Sequence, residues 1–257
     1  MRSWSLTGLE FAALWEGMRE SGALPAPFVL TCRIPLYRDY CAAKRAAGTA
    51  VRSRLGSDIE DVLDVVAKPD IRIVANAMNL VTGGVRTRLN AARRGGHAYL
   101  VEQVRGEPGA HGGEFVFREY GVVELGAAVA SCFSDAEPGR LRCVDLSTHV
   151  DTDMDQEYGR YLTREPAEDP AWRRTEEFLR TPVVDIGAML IAQGVSRFGP
   201  RQTARRVLEW RDLHDDGRYV ISGQGNPVAY GVDTAGFAAR IDNELTEVVR
   251  AIRDERR

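Results

Sequence analysis

Tyr120-Gly121-Val122, followed by Gly126 and Ala128, recurs as Tyr230-Gly231-Val232, followed by Gly236 and Ala238, at a constant offset of 110 residues. Each copy closes a run in which apolar and polar residues alternate, and opens one in which apolar residues recur every three or four positions. That change of period marks a strand giving way to a helix, because alternate side chains share a strand face while those three and four apart share a helix face. Pro69 before the first run corresponds to Pro182 before the second. The shared order of helix, antiparallel strands, Tyr-Gly-Val turn and helix reads as an internal duplication and predicts an α+β fold.

Outward from the first copy, residues 70–77, 85–92, 97–105 and 114–119 alternate, and Gly83-Gly84, Gly95-Gly96 and residues 106–113 connect them. Glycine-rich connections between alternating runs predict an antiparallel meander. Before it, Thr7-Gly8-Leu9-Glu10 is a capping box with Leu6 and Phe11 as its hydrophobic staple, starting a helix whose stripe is Phe11, Leu14, Trp15 and Met18. Two more helices are expected, from Leu36 to Leu55 and from a second capping box at Ser57-Asp58-Ile59-Glu60 to a stop at Pro69. Helical spacing returns at Leu125, Val129, Cys132 and Phe133, ahead of a short strand at 141–146. Around the second copy, a helix at 174–180 leads to strands at 184–196, 206–213, 218–222 and 228–232, with Asp216-Gly217 as a hairpin turn. The last helix carries Phe237, Ile241, Leu245, Val248 and Ile252 on one face and ends in Arg250, Arg253, Arg256 and Arg257, where the helix dipole favours cations.

Between the copies the chain turns polar, with Asp151, Asp153, Asp155, Glu157, Glu165, Glu168 and Asp169 against Arg160 and Arg164. The expected division is residues 1–146, an acidic linker at 147–173, and residues 174–257, the two halves forming one domain. The 257 residues are 44% hydrophobic with a formal charge of −3, which gives apolar mass for a core and no charge excess pointing to nucleic acid or membrane. Cys32, Cys41, Cys132 and Cys143 contain no C-x-x-C pair and read as reduced, buried thiols of a cytoplasmic protein. Glu10 and Glu16 interrupt any signal-peptide core, and the apolar run at 183–192 contains Asp185 and is too short to span a bilayer.

No stretch offers catalytic or metal-binding spacing. Asp151-x-Asp153-x-Asp155 opens like a calcium loop, but Gln156 and Leu162 stand where the turn glycine and the bidentate glutamate belong. His214 lies on the expected hairpin tip, and His97, His111 and His149 stand alone without metal-ligand spacing. The glycine-rich residues 106–113 and 223–227 lack the lysine and the helix that a phosphate loop requires. Gly194-Val195-Ser196-Arg197-Phe198-Gly199 misses the spacing of a nucleophile elbow by one residue. No metal and no cofactor is expected.

Several pieces in order carry a resemblance: Leu6-Thr7 with Leu14-Trp15, Leu24-Pro25, Val65-Val66-Ala67-Lys68-Pro69, Gly187 in its apolar strand, residues 210–212, and Asp216-Gly217-Arg218-Tyr219. The combined pattern resembles the EspG family, cytosolic chaperones of ESX (type VII) secretion in actinobacteria. That resemblance implies a pseudo-twofold α+β fold whose halves share a central antiparallel sheet flanked by helical bundles. It also implies a non-enzymatic function: recognising the PPE subunit of a PE–PPE heterodimer through its helical tip, keeping it soluble and addressing it to the secretion machinery. Binding would use the sheet and the helices of the C-terminal half. Phe178, Leu179, Met189, Ile191, Phe198 and Trp210, large apolar residues in or beside the second meander, are the candidate partner-binding positions. The loops at 79–84 and 93–96 are short, so the long mobile loop of some relatives is missing here.

Two rival classes make different predictions. A small-molecule-binding or hydrolytic α+β enzyme with a loop-assembled site requires a pocket where ionisable groups of perturbed protonation converge. A nucleic-acid-associated regulator requires a contiguous arginine face, for which Arg86, Arg88, Arg93 and Arg94, and Arg201, Arg205 and Arg206, are the candidates. The sequence leaves monomer and homodimer both open.

Overall fold

The computed structural model describes residues 2–18, 23–30, 32–104, 113–147, 170–223 and 225–257. The calcium-like Asp151, Asp153 and Asp155, the lone His111 and His149, and nearly all of the acidic linker lie outside the described residues.

Ten strands form one antiparallel sheet. Across it lie β1 (Ser3–Leu6), β5 (Phe115–Tyr120), β4 (His97–Gln103), β3 (Val85–Arg94), β2 (Ile71–Asn79), β7 (Val183–Gln193), β8 (Arg205–Leu213), β9 (Arg218–Ser222), β10 (Val228–Gly231) and β6 (Cys143–Asp145). Read inward from either edge, the order is the same: one short early strand, then a four-strand meander running back to its first member. The first members, β2 and β7, pair at the centre with Ile71 opposite Gln193 and Asn79 opposite Asp185. An antiparallel pair has a local twofold axis, so this connectivity is the arrangement a duplication would generate.

Six helices are described: α1 (Gly8–Glu16), α2 (Tyr37–Leu55), α3 (Asp58–Ala67), α4 (Leu125–Ala130), α5 (Pro170–Arg180) and α6 (Thr234–Arg256). The capping box of α1 is present in full: Thr7 Oγ1 accepts the Glu10 N–H at 3.3 Å, and Glu10 Oε2 accepts the Thr7 N–H at 2.7 Å. The box expected at Ser57 is absent. Only Gly56 and Ser57 separate α2 from α3, Ser57 is already helical, and Glu60 instead takes the Arg52 guanidinium at 3.0 Å. Strand β1 was not legible in the sequence, where Leu6 reads only as a staple; it runs along β5 with Leu6 opposite Phe115. All four cysteines are free, and none is fully buried as expected: Cys32, Cys41 and Cys132 are partly covered, and Cys143 is exposed on the edge strand β6. No helix among the described residues is long and apolar enough to cross a membrane.

The helices cover the two sheet faces unequally. On one face α4 and α6 pack over Ile71, Ile73, Ala75, Leu89, Ala91, Leu100, Met189, Ile191, Leu208, Trp210 and Val220. On the other, α1, α2 and α3 cover the flank made of Ala92, Tyr99, Val101, Phe115 and Phe117, while Phe178 of α5 packs on Leu213, Tyr219, Ile221 and Ala229 at the opposite flank. Among the described residues, no helix lies above β2, β7 or the length of β8 around Val207 on that face; α5 reaches only Leu213, at the far end of β8. The cause is topological: each half supplies helices for its own outer strands, and the seam where the two first strands meet is farthest from both sets.

Candidate functional site

The seam forms a furrow. Its floor is Val74 on β2, Leu190 on β7 and Val207 on β8, which stand opposite one another in register. Ala188 pairs with Asn76, and Ile186 with Met78, farther along the same face. Val207 is 50% exposed although it lies in the middle of a ten-stranded sheet. A cavity of about 480 Å³ at one end is lined by Arg72, Val74, Leu190, Ala192, Val195 and Arg205 among others. A second of about 200 Å³ continues from it over Pro27, Val74, Ala188, Leu190 and Val207. The two share Val74 and Leu190 and are therefore one trough.

A loop tied to an acidic side chain walls one end of the trough, and another such loop lies beyond the opposite end. At the β2–β3 turn, Asn79 Oδ1 accepts the N–H groups of Val81 and Thr82, and Asn79 Nδ2 donates to the buried Asp185 at 2.8 Å. Asp185 also takes Arg86 at 2.7 Å, which fixes a hairpin tip carrying the exposed Leu80 and Val81. At the other end, residues 194–204 are tied to Glu255 of α6 through Gln193, Ser196 and Arg197, and carry Val195, 78% exposed, and Phe198, 63% exposed. Glu255 is held below the usual carboxylate range, first by the Gln193 amide and then by the Arg197 and Ser196 donors, against a partial cost of desolvation.

Of the six positions expected from sequence, Leu179 and Phe198 are exposed. Phe178, Met189, Ile191 and Trp210 are buried, the last three beneath α4 and α6 and Phe178 beneath its own helix. Met189 and Trp210 are each only 1% exposed. Four of the six therefore pack as core, and the uncovered apolar residues lie at the opposite parity of the same strands, Leu190 between Met189 and Ile191, and Val207 three positions from Trp210. One sequence signal does point to them. Strand β7 is apolar on both parities, with Ile186, Ala188, Leu190 and Ala192 on one face and Gly187, Met189 and Ile191 on the other. Such a strand is made to be covered on both faces, and the described helices cover only one.

The trough holds no groups suited to acid–base chemistry. The ionisable residues lining its two cavities are Arg72 and Arg205, with no carboxylate, histidine or cysteine. Elsewhere, burial alone raises the Asp242 carboxyl of α6, and burial pushes the Tyr219 phenol up to about 12, its hydroxyl joining Asp216 to the Leu141 amide. Burial likewise raises the half-covered Cys132 thiol to about 12, away from reactivity. His214 sits on its hairpin turn beside Asp215, and among the described residues no three His, Cys, Asp or Glu side chains gather as metal ligands would. Of the first group of candidate arginines, Arg86 pairs with Asp185 near the β2–β3 turn and Arg94 with Asp64 near Gly95, at opposite ends of β3.

Residues 7–247 match the model of the EspG family. The chain belongs to the EspG family. No curated protein matches it in sequence. Among solved structures, it is similar to the Mycobacterium tuberculosis type VII secretion system chaperone EspG5, whose structure was determined in complex with the PE25–PPE41 dimer. That similarity has a TM-score of 0.56 at 15% identity and covers 95% of this chain and 96% of that one. At this identity the likeness is one of fold, and it extends over nearly the whole of both chains.

Proposed function

We propose that this EspG-family chain is a cytosolic, non-enzymatic chaperone that receives the PPE subunit of a PE–PPE heterodimer in the seam furrow. There it keeps the helical tip of that subunit soluble until an ESX (type VII) system takes it. One observation carries the reading: the central strands are apolar on both faces, and the described helices cover only one. The missing cover is then another polypeptide. A trough floored by Val74, Leu190 and Val207, with Arg72, Arg205 and Glu209 near its rim, has the apolar centre and polar border of a groove that takes an amphipathic helix. EspG5 has this fold and was solved in complex with the PE25–PPE41 dimer, which supports the same class of client here. Leu179 and Phe198 remain candidate contacts, and the mirrored strand order supports reading the halves as copies of one unit.

The test is co-expression with the PE–PPE pairs whose genes adjoin that of this chain, followed by size exclusion and light scattering. A 1:1:1 complex is expected. Failure with every neighbouring pair, from a chain shown to be folded, overturns the reading.

A further inference from the structure

The loop that walls the larger cavity takes its shape from a residue on the other side of the sheet. Gln193 ends β7 on the parity of Met189 and Ile191, facing α6, and is buried. Its Oε1 accepts the Ala204 N–H at 3.2 Å, and its Nε2 donates to the Val195 carbonyl at 2.9 Å and to Glu255 Oε2 at 2.5 Å. The other carboxylate oxygen of Glu255 accepts the Ser196 hydroxyl at 3.0 Å and the Arg197 amide. Ser196 Oγ in turn accepts the Phe198 amide at 3.1 Å, and the Gly199 N–H donates to the Ser196 carbonyl at 3.1 Å. The start of the loop is wedged as well: Gly194 donates to the Asp70 carbonyl at 2.8 Å, and a Cβ there would stand 1.8 Å from the Pro69 carbonyl oxygen.

Glu255 occupies the last turn of α6, where the free carbonyl groups of a helix disfavour an anion. Three donors from outside the helix offset that cost, and all three belong to the loop or to the residue that launches it. The anchor is rigid in turn, because Ile252, one turn earlier, is buried with Val248 in the core under α6. The geometry thus runs from the packed face, through one carboxylate, around the end of the strands to the open face.

We infer that Glu255 is a positioning residue for client capture: it holds residues 195–199 in the shape that offers Val195 and the cavity wall to the client, without touching the client itself. The inference rests on the furrow reading above. It is tested with the full chain and a neighbouring PE–PPE pair by titration calorimetry, together with amide hydrogen exchange on the free chain. Glu255→Ala is expected to weaken binding about 10-fold, the scale of a lost charge-assisted hydrogen bond, and to speed exchange at 195–199 while β2 and β7 keep their protection. Glu255→Gln, which retains an acceptor oxygen, recovers part of the affinity. In a Val195→Ala background the effect of Glu255→Ala shrinks, because both act through the loop; in a Val207→Ala background it stays whole. A wild-type chain that binds while Glu255→Ala binds equally well overturns the positioning role and leaves the furrow standing. An equal effect in both backgrounds makes Glu255 a general stabiliser and also overturns it. A folded wild-type chain that binds no pair overturns the furrow reading, and this inference with it.

Discussion

Met189 and Leu190 are consecutive residues of one strand with opposite fates. Met189 faces α6 and is 1% exposed, in a cluster with Ile73, Leu208 and Trp210. Leu190 faces away, between Val74 and Val207, on the floor of an open trough. The side chains are chemically alike and the backbone is the same, so the difference comes wholly from what the topology lays over each face. Helices α4 and α6 follow the meanders and cross the middle of the sheet, whereas α1 to α3 and α5 precede them and reach only the flanks. Two meanders joined through their first strands thus share one face closed by helices and, among the described residues, one face left open over the central strands.

The sharpest way to break this comparison is to truncate one residue on each side. Trp210→Ala removes a side chain whose ring packs 4.6 Å from Phe133 and 5.2 Å from Phe237, centroid to centroid. It is expected to cost about 3–5 kcal/mol in urea unfolding, the range for a large aromatic lost from a packed core. The double change Leu190→Asp with Val207→Asp is expected to leave the urea midpoint of the free chain nearly unmoved, since both positions already meet water. It should weaken client binding by at least 100-fold, about 2.7 kcal/mol, because two carboxylates would be desolvated under an apolar helix. Should the aspartate pair unfold the chain as Trp210→Ala does, the open face would be core after all, and the distinction would fall.

The same pair of residues explains what the sequence could tell. Alternation located the meanders, and Asp216-Gly217 placed the β8–β9 hairpin where the structure has it. The stripe of α6, from Phe237 to Ile252, is buried as its spacing requires. Period alone assigns residues to alternate faces without saying which face the chain covers, because cover depends on helices far away in sequence. Hence Met189, Ile191 and Trp210, large apolar residues of the second meander, fall on the closed side. The furrow's loops were less legible still. Nothing local in Gly194-Val195-Ser196-Arg197 announces that its acceptor is Glu255, and nothing in Asn79 announces Asp185. Strand β1 escaped for a related reason: four residues are too few to show a period, and its partner β5 is more than 100 positions away.

The smallest effect sharpens the comparison most, because it reads the link between the two faces directly. Glu255 has its carboxyl lowered in the folded chain, chiefly by the Gln193 amide. A group whose folded value is depressed contributes stability that is fully present above its unfolded value and is lost as pH falls through the folded one. The clasp should therefore be intact from neutral pH down to the ordinary glutamate range and should open only below it. The Arg197 amide proton, which donates to this carboxylate, is the probe. In an NMR titration of the free chain its shift is expected to move with an inflection below the usual glutamate value, while the amides of Ile73 and Leu208, deep on the closed face, stay in place over the same interval. An inflection at or above the usual value would mean that the carboxylate gains nothing from the loop. In that case the open face would owe the shape of its wall to Gly194 and Gln193 alone, with no contribution from the helix on the opposite side.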